Sequence, residues 1–543
     1  MKYAQSCKYL TMKNDANPSN RSFGVIDEGL KWFSPGSYPD GHAAKAFPWA
    51  RYSVRVSSTM RHNSAMLTSV PSIPAISSIR SNGERPIDNR ERLTQIVGLE
   101  VEPLRQQIEE SYRDRLYEIP AEFPSMNRRL IITFLILTAA ACVADSCIAA
   151  DKLTVDSDFE GASVRVLEID EVARSISFMP GGDPERGWPC WWYFRIDGVT
   201  PGESITLRLH GSIAAIGKQK PLSAAWAMPA QATWSIDGKT WQHTDNGQRQ
   251  DEWMVYTVTP AADFVYVAWG PPYTPSTSEK FVQDVSRKSP HATAAELCRS
   301  RQGRAVPMLH VREGDRKTSE RFGIWIQARQ HAWECGSSWV AQGFGEWLVS
   351  DDEDAAWLRQ HAEIFIVPIM DIDNTATGNG GKNALPHDHN RDWSEMPQWN
   401  EVLAAQKNVQ SLIDENRMDV FLDLHNPAPG DPTFFYILPN ELLTEPMLSL
   451  RNRFIDLAYA RISKIRPMIP MSNKPKVTGP KYHPLWKQIS SNWVSMHGNS
   501  HTVSLCLETI WNSKNSTTTG YRAVGRSLGA AVQDYLAERM NSH

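Results

Sequence analysis

The chain reads as an α/β protein: a mixed-sheet domain preceded by an antiparallel β-sandwich. Three observations predict this. From about 151 to 285, short apolar strands are separated by turn residues. After about 286, near-continuous apolar runs alternate with stretches of helical period. The end of the chain, Arg522 to Met540, is one long amphipathic helix. A length of 543 residues is too great for one compact domain, and 41% hydrophobic residues suffice for more than one core.

The sandwich is read from Ser163–Leu167, Trp191–Ile196, Ser204–Leu209 and Phe264–Trp269, with turns at Asp197-Gly198, Pro201-Gly202 and Asp237-Gly238. Eighteen of the 20 tryptophans lie after residue 150, and this stripe reads as core rather than as a sugar-binding platform. In the second domain, 286–543, Phe322–Ala328 is a strand leading into a helix over Gly336–Leu348. The run Ile364–Met370 is apolar enough to be buried on both faces, with Pro368 ending its ladder pairing. Val420–Leu424 is a second such strand, and Gln398–Asn416 is the helix between them. A mixed sheet with helices on both faces follows, and ligands of such sheets sit at strand ends.

Residues 1–125 are rich in Ser, Arg, Pro and Asn, lack clean periodicity, and read as a disordered or spurious extension. Residues 126–150 have the order of a signal peptide: Asn127-Arg128-Arg129, an apolar core from Leu130, then small residues to Ala150. This implies translation from Met126 and a periplasmic or secreted protein. The alternative is a membrane anchor through 130–144. Beyond this segment nothing suggests a membrane, and a net charge of -4 without a long basic run argues against nucleic acid. None of the 7 cysteines forms a C-x-x-C pair, and after export Cys190, Cys298, Cys335 and Cys506 read as buried thiols.

The chemistry starts at His331-Ala332-Trp333-Glu334, where a strand gives way to a helix. A His and a Glu three apart can hold one metal ion, but the spacing alone is weak. His425 follows the strand Val420–Leu424 and completes a His-Glu-His set with a position left for water. Glu508 ends the apolar run Val503–Leu507, where a carboxylate is costly unless paired or functional, and beside metal-bound water it suits a general base. Arg391 in Asp388-His389-Asn390-Arg391 has the planar fork that matches a carboxylate, with Asn390 donating beside it. Asp371-Ile372-Asp373 fails as a calcium loop, because Ala376 and Lys382 occupy the glycine and glutamate places.

Together these segments resemble the zinc metallocarboxypeptidases, and within them the cytosolic carboxypeptidase-like branch that includes tubulin deglutamylases. Ala328–Trp339 is similar to "ARxHPGExxSSW", Pro368 to Asn379 to "PMxNPDGVxxGN", Asp388–Trp393 to "DLNRxW", and Asp423–His425 to "DLH". Trp192–Arg195 and Pro271–Thr274 resemble the branch's N-terminal domain. The resemblance implies one zinc ion on His331, Glu334 and His425, Glu508 as general base and acid, and Asn390 with Arg391 gripping the substrate's terminal carboxylate. It also implies that Asp388 orients a ligand histidine and that the substrates are peptide or protein C-termini.

The branch's carbonyl-polarising arginine falls on Gly381, so Lys382 is the candidate for that charge. The family's mobile tyrosine is expected before Glu508, where Tyr482 is the only tyrosine between 460 and 507 and so the candidate. Two further readings use the same residues: an amidohydrolase of N-acyl amino acids, and a catalytically weak binding protein. Export has its own check. N-terminal sequencing of the mature protein is expected to begin near Ala150 or Asp151, and recovery of residues 1–125 would overturn it.

Overall fold

The computed structural model describes residues 152–183, 185–211 and 222–541. The readings of 1–125 and 126–150 lie outside the described residues. Among those described, no helix is long and apolar enough to cross a membrane.

Among the described residues, ten strands form the first domain: Thr154–Asp156 (β1), Arg165–Asp170 (β2), Ser175–Met179 (β3), Tyr193–Asp197 (β4), Ile205–His210 (β5), Thr233–Ser235 (β6), Gln242–His243 (β7), Gln248–Gln250 (β8), Trp253–Val258 (β9) and Phe264–Ala268 (β10). They build two five-stranded sheets, β1-β4-β10-β6-β7 and β2-β3-β5-β9-β8. The pairing is antiparallel except between β3 and β5. That pair is parallel because the chain crosses to the other sheet as β4 before it returns. Phe178, Trp192, Phe194, Leu207 and Val267 fill the space between the sheets. Trp191 and Trp192 are buried, and each indole N–H donates to a backbone carbonyl, of Gly161 and Ala227, at 2.9 Å. The core reading of the stripe holds for these residues. Trp188 and Trp226 are only half-buried.

The second domain has an eight-stranded sheet of Ala292–Arg299 (β11), Ala305–Val311 (β12), Phe322–Ala328 (β13), Ala362–Val367 (β14), Met418–His425 (β15), Phe434–Ile437 (β16), Lys476–Val477 (β17) and Val503–Glu508 (β18). Its order is β11-β12-β14-β13-β15-β18-β16-β17. The four central strands, β14, β13, β15 and β18, are parallel, and antiparallel pairs flank them. β14 stops at Val367, directly before Pro368.

Helices cover both faces: Pro275–Lys288 (α1), Cys335–Leu348 (α2), Glu353–His361 (α3), Ile372–Thr377 (α4), Asn400–Asp414 (α5), Glu445–Ile462 (α6), Ser490–His497 (α7) and Thr518–Asn541 (α8). Ile324, Ile326, Val420 and Leu422 face the core formed with α1, α2, α6 and α8. Trp325 and Phe421, one residue out of phase, face the core formed with α5 and α7. Burial on both sides is why these strands read as unbroken apolar runs.

The second core begins earlier than residue 286. Thr274 caps α1 by accepting from the Thr277 N–H at 3.3 Å, Pro275 starts the helix, and Phe281, Val282 and Val285 join the core beneath β11 and β12. About four turns of helix before the first strand are hard to assign to either domain from periodicity alone.

The N-terminal end of β14 is held by charge. Glu363 is buried, with His310 Nε2 at 3.0 Å and Arg417 donating at 3.0 Å. The His310 contact, reinforced by Arg417 against the opposing effect of burial, holds the Glu363 carboxyl at about 2, against an ordinary 4.5. A depressed carboxyl stabilises the fold above its unfolded value and loses that contribution as pH falls towards its folded value. Glu363→Gln is therefore expected to lower the urea midpoint near neutral pH. The gap from the parent should narrow steadily as pH falls from about 5 towards about 2. A gap that is constant over this range would contradict the assignment.

Candidate active site

The site is assembled at the carboxyl ends of the parallel strands. Leu424 of β15 is in register with Ala328, the last residue of β13, and His425 is in register with Glu508, the last residue of β18. After β13 the chain turns sharply. Arg329 takes φ +60, a conformation that costs free energy in a non-glycine residue. Its buried guanidinium offsets that cost by donating to the Ala332 carbonyl at 2.8 Å and to that of Tyr273. The turn puts His331 and Glu334 on one side of the strand end, and α2 starts directly after them.

His331 Nδ1 lies 2.8 Å from Glu334 Oε1, and His425 Nδ1 lies 2.6 Å from Glu334 Oε2. The ligand atoms of the three residues lie within 4.8 Å of one another, and all three are buried. Each imidazole has its other nitrogen on a carboxylate: His331 Nε2 is 3.1 Å from Asp388 Oδ1, and His425 Nε2 is 2.9 Å from Asp423 Oδ2. This is how a protein fixes the tautomer of a metal-binding histidine. Two inward nitrogens, a carboxylate between them and a carboxylate behind each ring fit a zinc ion. Burial would raise the Glu334 carboxyl, but the two histidines outweigh it and hold it at about 2.

A cavity of about 250 Å³ opens on this cluster and also touches Glu508, Asn390, Arg391, Lys382 and Tyr482. Every site residue predicted from the sequence is therefore brought together here, with Asp388 behind His331. Glu508 is buried, which pushes its carboxyl up to about 8. Its Oε2 has no hydrogen-bond partner, and neither has the buried Nε of Arg391. Buried groups left unpaired in this way are costly, and at a cavity wall they mark where a ligand completes the pairing. Arg391 lies 5.9 Å from the Tyr482 ring. Asn390 accepts from the Ser490 N–H at 3.0 Å, and its amide nitrogen lies 3.2 Å from His425 Nε2.

The structure accounts for the departure at 381. Gly381 has φ +75, and a Cβ built on it would lie 2.2 Å from Asp371 Oδ2. No side chain, arginine included, fits there. The next residue carries a positive charge: Lys382 Nζ is 3.0 Å from His331 Nε2 and 3.3 Å from Asp388 Oδ2. Burial would raise the Asp388 carboxyl, but Lys382 and His331 hold it well below the usual range.

Two components were missed in the sequence. Asp423 belongs to the quoted Asp-Leu-His, and its spacing in a strand could have signalled a partner for His425, since residues two apart share a face. The second is the loop joining β3 to β4. Arg186 donates to the carbonyls of Asn383 (2.7 Å) and Ala384 (3.0 Å), and Asp183 accepts from the Gly380 N–H at 3.4 Å. No local signal foretells contacts about 200 positions apart.

Residues 278–419 match the zinc carboxypeptidase family, and residues 155–269 match the cytosolic carboxypeptidase N-terminal domain. Cytosolic carboxypeptidase 2 of Danio rerio is 27% identical over 270 residues, covering 45% of this chain and 37% of its own length. An uncharacterized protein of Zymomonas mobilis is 27% identical over 276 residues, covering 50% of this chain and 67% of its own. The crystal structure of a metallo-carboxypeptidase from Burkholderia cenocepacia shares the fold at a TM-score of 0.60 and 22% identity, covering 72% of this chain and 100% of that one. Asp423→Asn is expected to weaken zinc binding about 10- to 100-fold in competition with a chelator, while the chain stays folded. Unchanged zinc affinity would remove Asp423 from the site.

Proposed function

We propose that this chain, which has a zinc carboxypeptidase domain behind a cytosolic carboxypeptidase N-terminal domain, hydrolyses the C-terminal peptide bond of peptides or proteins. One observation supports this most: the His331–Glu334–His425 cluster, Glu508 with its unpartnered Oε2 and Arg391 with its unpartnered Nε border a single cavity. His331, Glu334 and His425 would hold one zinc ion. When bound there, it would supply a Lewis acid for the scissile carbonyl and make water more acidic.

The chain's own groups account for the rest. Glu508 in its ionised form takes a proton from the attacking water and returns it to the leaving amine. A carboxyl lifted to about 8 is suited to both transfers near neutral pH. Arg391, with Asn390 beside it, grips the free terminal carboxylate through paired N–H groups, so chain ends bind and chain interiors do not. Tyr482, 44% exposed beside Arg391, is free to close over the bound terminus. Lys382 offers positive charge to the carbonyl oxygen as it becomes negative. Asp388 and Asp423 hold the two imidazoles in place. Export through 126–150, with a periplasmic or secreted location, is part of the same proposal and rests on the sequence pattern.

The zinc-loaded protein is expected to release C-terminal residues from peptides faster than it cleaves N-acyl amino acids; the opposite order favours the amidohydrolase. Glu508→Gln should lower kcat by about 10³ or more with zinc content unchanged, and Lys382→Met should lower kcat/KM about 10²-fold. Full activity in Glu508→Gln would rule out this mechanism.

A further inference from the structure

The sandwich contributes walls to the cavity as well as support. Trp188, from the β3–β4 loop, and Trp226, at the end of the short turn Ala224–Trp226, both line it. Their rings meet edge to face, with centroids 4.6 Å apart and planes at 62°. Trp226 packs in turn on Trp333, at 5.5 Å, and Trp333 directly precedes the ligand Glu334. Trp191, Trp192 and Trp269 are nearly sealed from solvent, whereas Trp188 and Trp226 keep part of their apolar rings open to the cavity. Exposed indole faces grouped in a concave site are an unused binding surface.

The cavity's aromatic contacts fall into two groups. Arg391, Tyr482 and Tyr436 pack together on the side expected to hold the terminal carboxylate. Trp188, Trp226 and Trp333 form the other group. Trp188 also belongs to the chain of contacts behind the metal ligands. With the Asn383 amide turned to satisfy both neighbours, Asn383 accepts from Trp188 Nε1 at 3.2 Å and donates to Asp388 Oδ2 at 3.3 Å. Trp188 is thus held beside the segment that bears Lys382, the residue assigned to the scissile carbonyl. A peptide whose C-terminus is held by Arg391 continues past that carbonyl within the cavity that the tryptophans also line.

We propose that Trp188 and Trp226 form a subsite for the residue immediately before the scissile bond, and that it takes an aromatic or aliphatic side chain. The proposal rests on the carboxypeptidase reading above. Lys382 at the subsite's edge repels a cationic side chain, and two indole rings reward apolar area.

The test uses the zinc-loaded Glu508→Gln full-length chain, so that binding is read without turnover. Calorimetry compares three N-acetyl dipeptides with the same C-terminal residue and Phe, Gly or Lys before it. Phe is expected to bind at least about 10-fold more tightly than Gly or Lys. Trp188→Ala should bring that ratio close to one, whereas Trp188→Phe, which keeps a ring but loses the N–H, should retain most of it. Trp226→Ala, which leaves the Asn383 contact intact, should also reduce it. Equal affinities in the parent, a preference for Lys, or a ratio untouched by Trp188→Ala and Trp226→Ala would each overturn the subsite. The same peptides given to the chain with Glu508 intact test the parent reading separately: no release of any C-terminal residue overturns the peptidase, while the affinity ratio still decides the subsite.

Discussion

The site depends on register. Three parallel strands end level with one another, Ala328 beside Leu424 and His425 beside Glu508. Each residue that follows or closes a strand therefore opens onto the same edge. A slip of one residue in β15 would turn His425 and Asp423 together to the opposite face and take the imidazole away from Glu334. The two-sided burial of β15 resists that slip, because Phe421 would have to exchange cores with Val420 and Leu422. The precision of the chemistry thus derives from apolar packing some way below it.

Upon this edge the protein places charge in layers. Glu334 lies between two histidines, Asp388 and Asp423 lie behind them, and Lys382 neutralises Asp388. Buried charges are expensive singly, and removing one partner leaves the other exposed to the full desolvation cost. The layers therefore stand or fall together. Glu508 and Arg391 are the exceptions, since each keeps an atom that no protein group satisfies. Affinity for a ligand is stored in those two unsatisfied atoms, and the saturated groups around them hold the geometry.

Much of this was legible in the sequence, for a physical reason. A carboxylate or histidine at the end of an apolar run is energetically conspicuous, so His425 and Glu508 could be found without coordinates. The α/β alternation was visible because strands buried on both faces are mostly apolar along their length. What stayed hidden arises from contacts between distant segments. Gly381 looked like a lost arginine, and only the proximity of Asp371 shows that no side chain fits there. Arg186 carries no local signal, and only the folded chain brings it to Asn383 and Ala384. The tryptophan stripe was read as core, which is right for Trp192 and incomplete for Trp188 and Trp226, because periodicity cannot tell a sealed ring from one at a cavity wall.

The tryptophans also determine how far the two domains are separable. Trp269, on the sandwich side, packs on Trp333 and on Trp511 of the sheet domain, with centroids 5.5 and 4.3 Å apart. Trp333, Cys335 and Trp511 belong to the sandwich's own core cluster. Interfaces between independent domains are usually polar enough to survive exposure. This seam is not of that kind, and parting it would wet several indoles at once. The join in the sequence is therefore no joint in the molecule. Neither half is a cassette that could be exchanged during evolution without its counterpart, and changes on one side of the seam constrain what the other side can become.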